Sequence, residues 1–151
     1  MNNPLILGID PGKTGALAFL YSNRALFIED MPAIGKEVNG ALTADMLREF
    51  TPTHAYIEAV NSFGMGRQSA FNFGQGVGVI KGVLGALAIP YSNVTPTKWK
   101  KEFSLNRDKN ASRLAAIRLF PDNAGQFARK KDDGRAEAAL IALWGRRHGA
   151  E

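Results

Sequence analysis

The 151-residue chain contains no cysteine and only two histidines, His54 and His148. Without cysteine there are no disulfides and no thiolate metal sites, and two histidines do not make a histidine-rich zinc centre. Any metal must then be held mainly through oxygen, which favours magnesium, manganese or calcium. No apolar run is long enough to cross a bilayer, so no membrane partner is expected. Repeats, low-complexity tracts and interior linkers are also missing, and the length suits one domain over residues 1–151. The opening MNNPLILGID enters a strand-like run at once, leaving no room for a signal or transit peptide. The expectation is a cytoplasmic protein, of a bacterium or of a virus acting in its host's cytoplasm.

The chain does have a hydrophobic share of 45%, enough for a packed core, and a net charge of +5. The charge is uneven: residues 1–94 sum to −1 and residues 95–151 to +6. A basic C-terminal third on a near-neutral body suits a polyanion, with nucleic acid first, although a solvated helical surface explains the charge equally well.

Short apolar runs mark five strands, PLILGID, TGALAFLY, ALFIEDM, THAYIEAV and IPYSNV. The first three are joined too tightly for a parallel crossover and should form an antiparallel meander. Helices are expected at TADMLREF with Thr43 as N-cap, from about Arg67 to Leu87, at TPTKWKKEF with Thr95 as N-cap, at KNASRLAAIRLF, and at GRAEAALIALWGRR. In the second of these, Gly74, Gly78 and Gly82 fall on one face, which is expected to pack on the sheet, or else on a second copy. The order gives an α/β fold: a five-stranded mixed sheet, a β-meander followed by β-α-β units, flanked by helices.

The stretch LGIDPGKTGALAF holds Gly-Lys-Thr and so invites comparison with a phosphate-binding P-loop. That motif needs glycine at position 7, which is Leu7; Gly8 leaves the loop one residue short. The residues that follow also read as a strand where the motif needs a helix, so no nucleotide cofactor is expected. What remains is Asp10 at the end of an apolar strand, where a carboxylate is costly without a partner or cation. Glu58 closes a second apolar strand. Asp133 and Glu137 are four apart, within about 40° on a helix, and Glu137 lies in an alanine-leucine face. Each acid has an ordinary reading, as a turn cap for Asp10, an edge position for Glu58 and a helix cap for Asp132 or Asp133. Together they form a candidate site for hard divalent cations, and beside a basic surface such a site suits phosphodiester hydrolysis.

The segments GIDPGKTGALA, YIEAV, TPTKWKKEF and RKKDDGRAEAALIALW resemble, in this order, those of the RuvC-like Holliday-junction resolvases of the ribonuclease H-like superfamily, most of all the plant chloroplast branch and its viral relatives. The resemblance implies a metal-bound acidic tetrad of Asp10, Glu58, Asp133 and Glu137. The family often has histidine at the Asp133 position, or a spacing of three, so Asp132 stays open as the alternative fourth ligand. It also implies Mg2+-dependent hydrolysis, with one or two ions per site and Mn2+ able to substitute, leaving 5′-phosphate and 3′-hydroxyl ends. A homodimer cutting opposed strands of a four-way or otherwise branched DNA junction is implied too. Candidate phosphate contacts are Lys98, Lys100, Lys101, Lys109, Arg113, Lys130 and Lys131. Within Asn61–Phe73, Phe63 or Phe71 could wedge between bases and Arg67 or Gln68 could read them, with at least one of the two phenylalanines expected in the core. The alternatives are a ribonuclease H-like enzyme acting on RNA or RNA–DNA hybrid, an ATPase half-domain of the sugar-kinase type, and a non-catalytic DNA-binding protein.

Overall fold

A computed structural model describes residues 4–149. Its main sheet has five strands, β1 (Leu5–Asp10), β2 (Ala16–Tyr21), β3 (Leu26–Asp30), β6 (His54–Glu58) and β7 (Tyr91–Val94), in the order β3-β2-β1-β6-β7. The first three strands are antiparallel neighbours, while β6 and β7 run parallel to β1. This is the expected mixed α/β sheet. The stretch after Gly-Lys-Thr is β2, so the helix that a P-loop requires is not there. Between β3 and the first helix the chain adds a short hairpin, β4 (Ala33–Ile34) with β5 (Glu37–Val38), that the sequence reading did not anticipate. Two-residue strands are too short to leave a periodic signal.

Strand alternation sorts the core into two layers. Leu5, Leu7 and Ile9 of β1, with Ala55 and Ile57 of β6, face helices α1 (Gly40–Phe50) and α2 (Arg67–Ala86). Ala16, Ala18 and Leu20 of β2, with Tyr56 of β6, face the other layer. That layer is built by α3 (Pro96–Glu102), α4 (Lys109–Leu119) and α5 (Asp133–His148). Helix α5 lies directly on β1 and β2, because Gly8 has no side chain to hold it off. Asp10 and Glu58 are in phase with Gly8 and Tyr56, so both carboxylates point to the α5 side.

Two local expectations change. Asn39, not Thr43, caps α1, its side chain accepting from the Leu42 N–H at 2.8 Å; the Thr43 hydroxyl is buried and donates to the Asn39 carbonyl at 2.7 Å. Helix α2 turns its other face to the sheet. Gly76, Ile80 and Leu84 are buried, and Val38 of β5 packs on Gly76. Gly74, Gly78 and Gly82 are exposed, and a β-carbon at any of them would meet nothing within 4 Å. The two stripes differ by two residues, about 200° around the helix, so glycine spacing alone did not say which one faces inward. Among the described residues no helix is long and apolar enough to cross a membrane.

Candidate metal centre

Parallel pairing of β1 with β6 sets Ile9 opposite Ile57, so Asp10 and Glu58 end adjacent strands at one level on one face. Helix α5 brings Glu137 down on them. One carboxylate oxygen from each of the three lies within 4.8 Å of the others. Glu58 and Glu137 are buried; Asp10 keeps part of its surface open to solvent although its carboxyl is ringed by protein.

Crowding of like charges shows in the electrostatics. Burial pushes the Asp10 carboxyl well above the ordinary carboxylate value, and the charges of Glu137 and Glu58 push the same way. Glu58 is also raised, by burial first, against the pull of a hydrogen bond from Trp99. That bond is the main support of the site: the indole Nε1–H of the fully buried Trp99 donates to Glu58 Oε2 at 2.7 Å. A carboxylate held by a buried donor has one orientation and one oxygen left for other work.

One ammonium group enters the cluster. Lys109 Nζ donates to Glu137 Oε1 at 2.7 Å and lies 3.9 Å from Asp133 Oδ2. Burial works to lower its pKa, but the bond to Glu137 and the surrounding acids raise it overall. Lys109, read as a phosphate contact, thus has its charge committed to the carboxylates. No sequence spacing ties residue 109 to residue 137, because only the packing of α4 on α5 brings them together.

The other candidates separate. Asp132 is held away from the triad: its carboxylate accepts from the Arg129 backbone N–H at 2.8 Å and from the Arg129 guanidinium at 2.8–3.2 Å, with Arg135 at 3.7 Å. Asp133 stands outside the triad but next to it, through Lys109. Arg113, expected on phosphate, instead donates to the carbonyls of Phe127 and Ala128 at 3.2 and 2.9 Å and to Asn110 Oδ1 at 2.6 Å. Its two terminal nitrogens are turned onto three protein oxygens, while the buried Nε has no partner among the described residues, and the side chain pins the segment that leads into α5.

Lys98, Lys101, Lys130 and Lys131 are exposed, and Lys131 lines a groove with Asp133. Lys100 is near enough to Glu58 to favour its charged form. Arg67 and Gln68 are exposed at the start of α2. Phe63 is 94% exposed and Phe71 67%, so neither phenylalanine joins the core.

Three partners of the acids carry no sign in the sequence: Trp99 as the donor to Glu58, Arg129 on Asp132, and Arg135, whose guanidinium forks onto Asp30 at 2.8 and 2.9 Å. The TKWKK segment was noted as a motif, but nothing in it says which way the indole N–H points.

The sequence matches no family model and no curated protein. Solved structures do share the architecture. Thermus thermophilus RuvC in complex with a Holliday junction substrate superposes with a TM-score of 0.63 at 17% identity, over 96% of both chains. The yeast mitochondrial Holliday junction resolvase gives 0.60 at 16% identity, over 96% of this chain and 78% of that one. The fowlpox virus resolvase, solved with substrate Holliday junction DNA, gives 0.54 at 15%, over 91% and 95%. At such identities the likeness is one of fold, and by fold this chain is RuvC-like, a ribonuclease H-like sheet with helices on both faces.

Proposed function

We propose that the chain is a metal-dependent endonuclease that cuts branched DNA, with four-way junctions as the preferred substrate. The observation that carries this is the convergence of Asp10, Glu58 and Glu137 from β1, β6 and α5 on one point. The donor set fits hard divalent cations: it is all oxygen, and among the described residues only the Lys109 ammonium forms an ion pair with it. Magnesium ions bound there supply the charge that activates a water and stabilises the transition state of in-line displacement at phosphorus. In this reading Asp10, Glu58 and Glu137 would hold the metal, with Asp133 at its margin. Trp99 orients Glu58, and Lys109, bonded to Glu137, would have to release it for a cation to bind there.

The surroundings support a branched substrate. Phe63 and Phe71, in the segment that follows Glu58, stand in solvent, and apolar side chains of this size suit insertion between unstacked bases. The exposed stripe of Gly74, Gly78 and Gly82, with Phe71 on the same side, lets another helix approach α2 closely. A homodimer through this stripe would present two sites to opposed strands.

The test is a panel of four-way junction, linear duplex, single-stranded DNA and RNA–DNA hybrid, each with magnesium or EDTA. Paired nicks near the branch point of the junction, absent in EDTA, are expected. Equal cutting of all substrates would refute junction selectivity, and preferred cutting of the hybrid would favour the ribonuclease reading.

Trp99→Phe keeps the ring's bulk and deletes the N–H that fixes Glu58. Metal affinity, read as a Mn2+ titration, should weaken by about 10- to 100-fold. Junction binding in EDTA should be unchanged. An unchanged Mn2+ titration would show that the indole only fills space.

A further inference from the structure

Two grooves flank the β1–β2 turn, and Lys13 and Thr14 line both. The one toward α5 is lined by Asp30, Asp132 and Asp133, with Arg129, Lys131 and Arg135 among them. The other, of about 440 Å3, lies between the turn, the β4–β5 hairpin and the first turns of α2, and no acidic residue lines it. It begins at Pro11, the residue after Asp10, on the α2 side of the sheet, and the Lys13–Thr14 turn joins it to the groove on the α5 side, to which the Asp10 carboxylate points.

Three features of this groove fit one kind of occupant. Lys13 and Lys36 stand on opposite walls, and neither has an ion-pair partner among the described residues. Phe73 lies under the turn, with Pro11 and Val38 adding apolar surface, which suits a flat ring. On α2, Gln68 Nε2 donates to Asn72 Oδ1 at 2.9 Å. That bond uses one hydrogen of Gln68 Nε2 and one lone pair of Asn72 Oδ1, and leaves the Gln68 amide oxygen as an acceptor and the Asn72 amide nitrogen as a donor, both untouched by it and one helical turn apart. The count is the same if both amides are turned over. An acceptor and a donor so paired match the N6 amino group and N7 of adenine, the only base whose major-groove edge carries that pair.

We propose that this groove holds a nucleotide of the cut strand next to the scissile phosphate, with Lys13 and Lys36 on its backbone and the Gln68–Asn72 pair reading its base as adenine. The proposal rests on the nuclease reading and adds to it the place where cutting preference is set. Lys13 then belongs to the strand track on both sides of the turn, which explains why the hairpin carries Gly-Lys-Thr without a nucleotide site.

The experiment measures cutting rates on junctions that carry each of the four bases at positions flanking the nick. The proteins are the wild type, the double variant Gln68→Ala/Asn72→Ala, and Lys36→Ala, all of which change exposed groups. The wild type should favour adenine at one flanking position by about tenfold. The double variant should lose the preference, to within about twofold. Lys36→Ala should keep the preference but lower the salt slope of junction binding by about one phosphate contact. No base preference in the wild type, an unchanged preference in the double variant, or an unchanged salt slope in Lys36→Ala each overturns the groove assignment while leaving the nuclease intact. A wild-type protein that cuts no junction in magnesium removes the nuclease reading and this proposal with it.

Discussion

Asp10→Asn should lower junction cleavage by about a thousandfold or more while leaving junction binding intact. The side chain keeps its shape and gives up the charge that a shared cation needs. Because burial and the charges of Glu137 and Glu58 hold the Asp10 carboxyl above its ordinary value, the same change should also affect stability. The unfolded chain ionises first, near 3.8, so as pH rises from there toward the raised folded value the unfolded state is favoured. Asparagine has no such penalty. In EDTA at neutral pH, Asp10→Asn should therefore melt above the wild type, and the two should converge below the ordinary carboxylate range. Saturating Mn2+ should reverse the order, since the ion stabilises only the protein that binds it. A variant that still cleaves would remove Asp10 from the site, and one that melts lower in EDTA would refute the electrostatic account.

Gly8→Ala should damage stability and site together. A β-carbon on Gly8 would run into α5, onto the Ala138 carbonyl and within 2.5 Å of the Ala142 nitrogen and 2.8 Å of its β-carbon. These are helix backbone atoms and a short side chain, which cannot swing aside. Overpacking of this kind costs about 1–3 kcal/mol, and the backbone obstacles place it at the upper end. In a chain of this size that lowers Tm by about 10 °C. Gly8 is two residues before Asp10, and Ala138 follows Glu137, so lifting the helix parts the carboxylates. Cleavage should fall in the folded fraction as well, measured at a temperature where circular dichroism shows the variant still native. A variant with wild-type Tm and activity would mean that α5 does not rest on β1.

Short apolar runs bounded by turn residues made the strands legible, while the common side of Asp10 and Glu58 came only with the pairing of β1 and β6. Helix periodicity placed Glu137 on a buried face, where it is 2% exposed. Contacts between distant elements carried no such trace. Lys109 reads as any solvated lysine until α4 docks on α5, and Arg113 reads as a phosphate contact until three oxygens close on its guanidinium. Helix angle favours Asp133 over Asp132, but it says nothing of what else holds either carboxylate. Arg129, three residues before Asp132, takes up its carboxylate through both backbone and guanidinium. The glycines of α2 show the same limit: their period was plain, but the face that packs was decided by Val38 of a hairpin too short to read.

The most direct test of the central claim is the location of the metal. Crystals of the protein soaked in Mn2+ should give one or two anomalous peaks in contact with Asp10, Glu58 and Glu137, with Lys109 displaced from Glu137. Peaks elsewhere, or none while Lys109 keeps its bond to Glu137, would contradict the account.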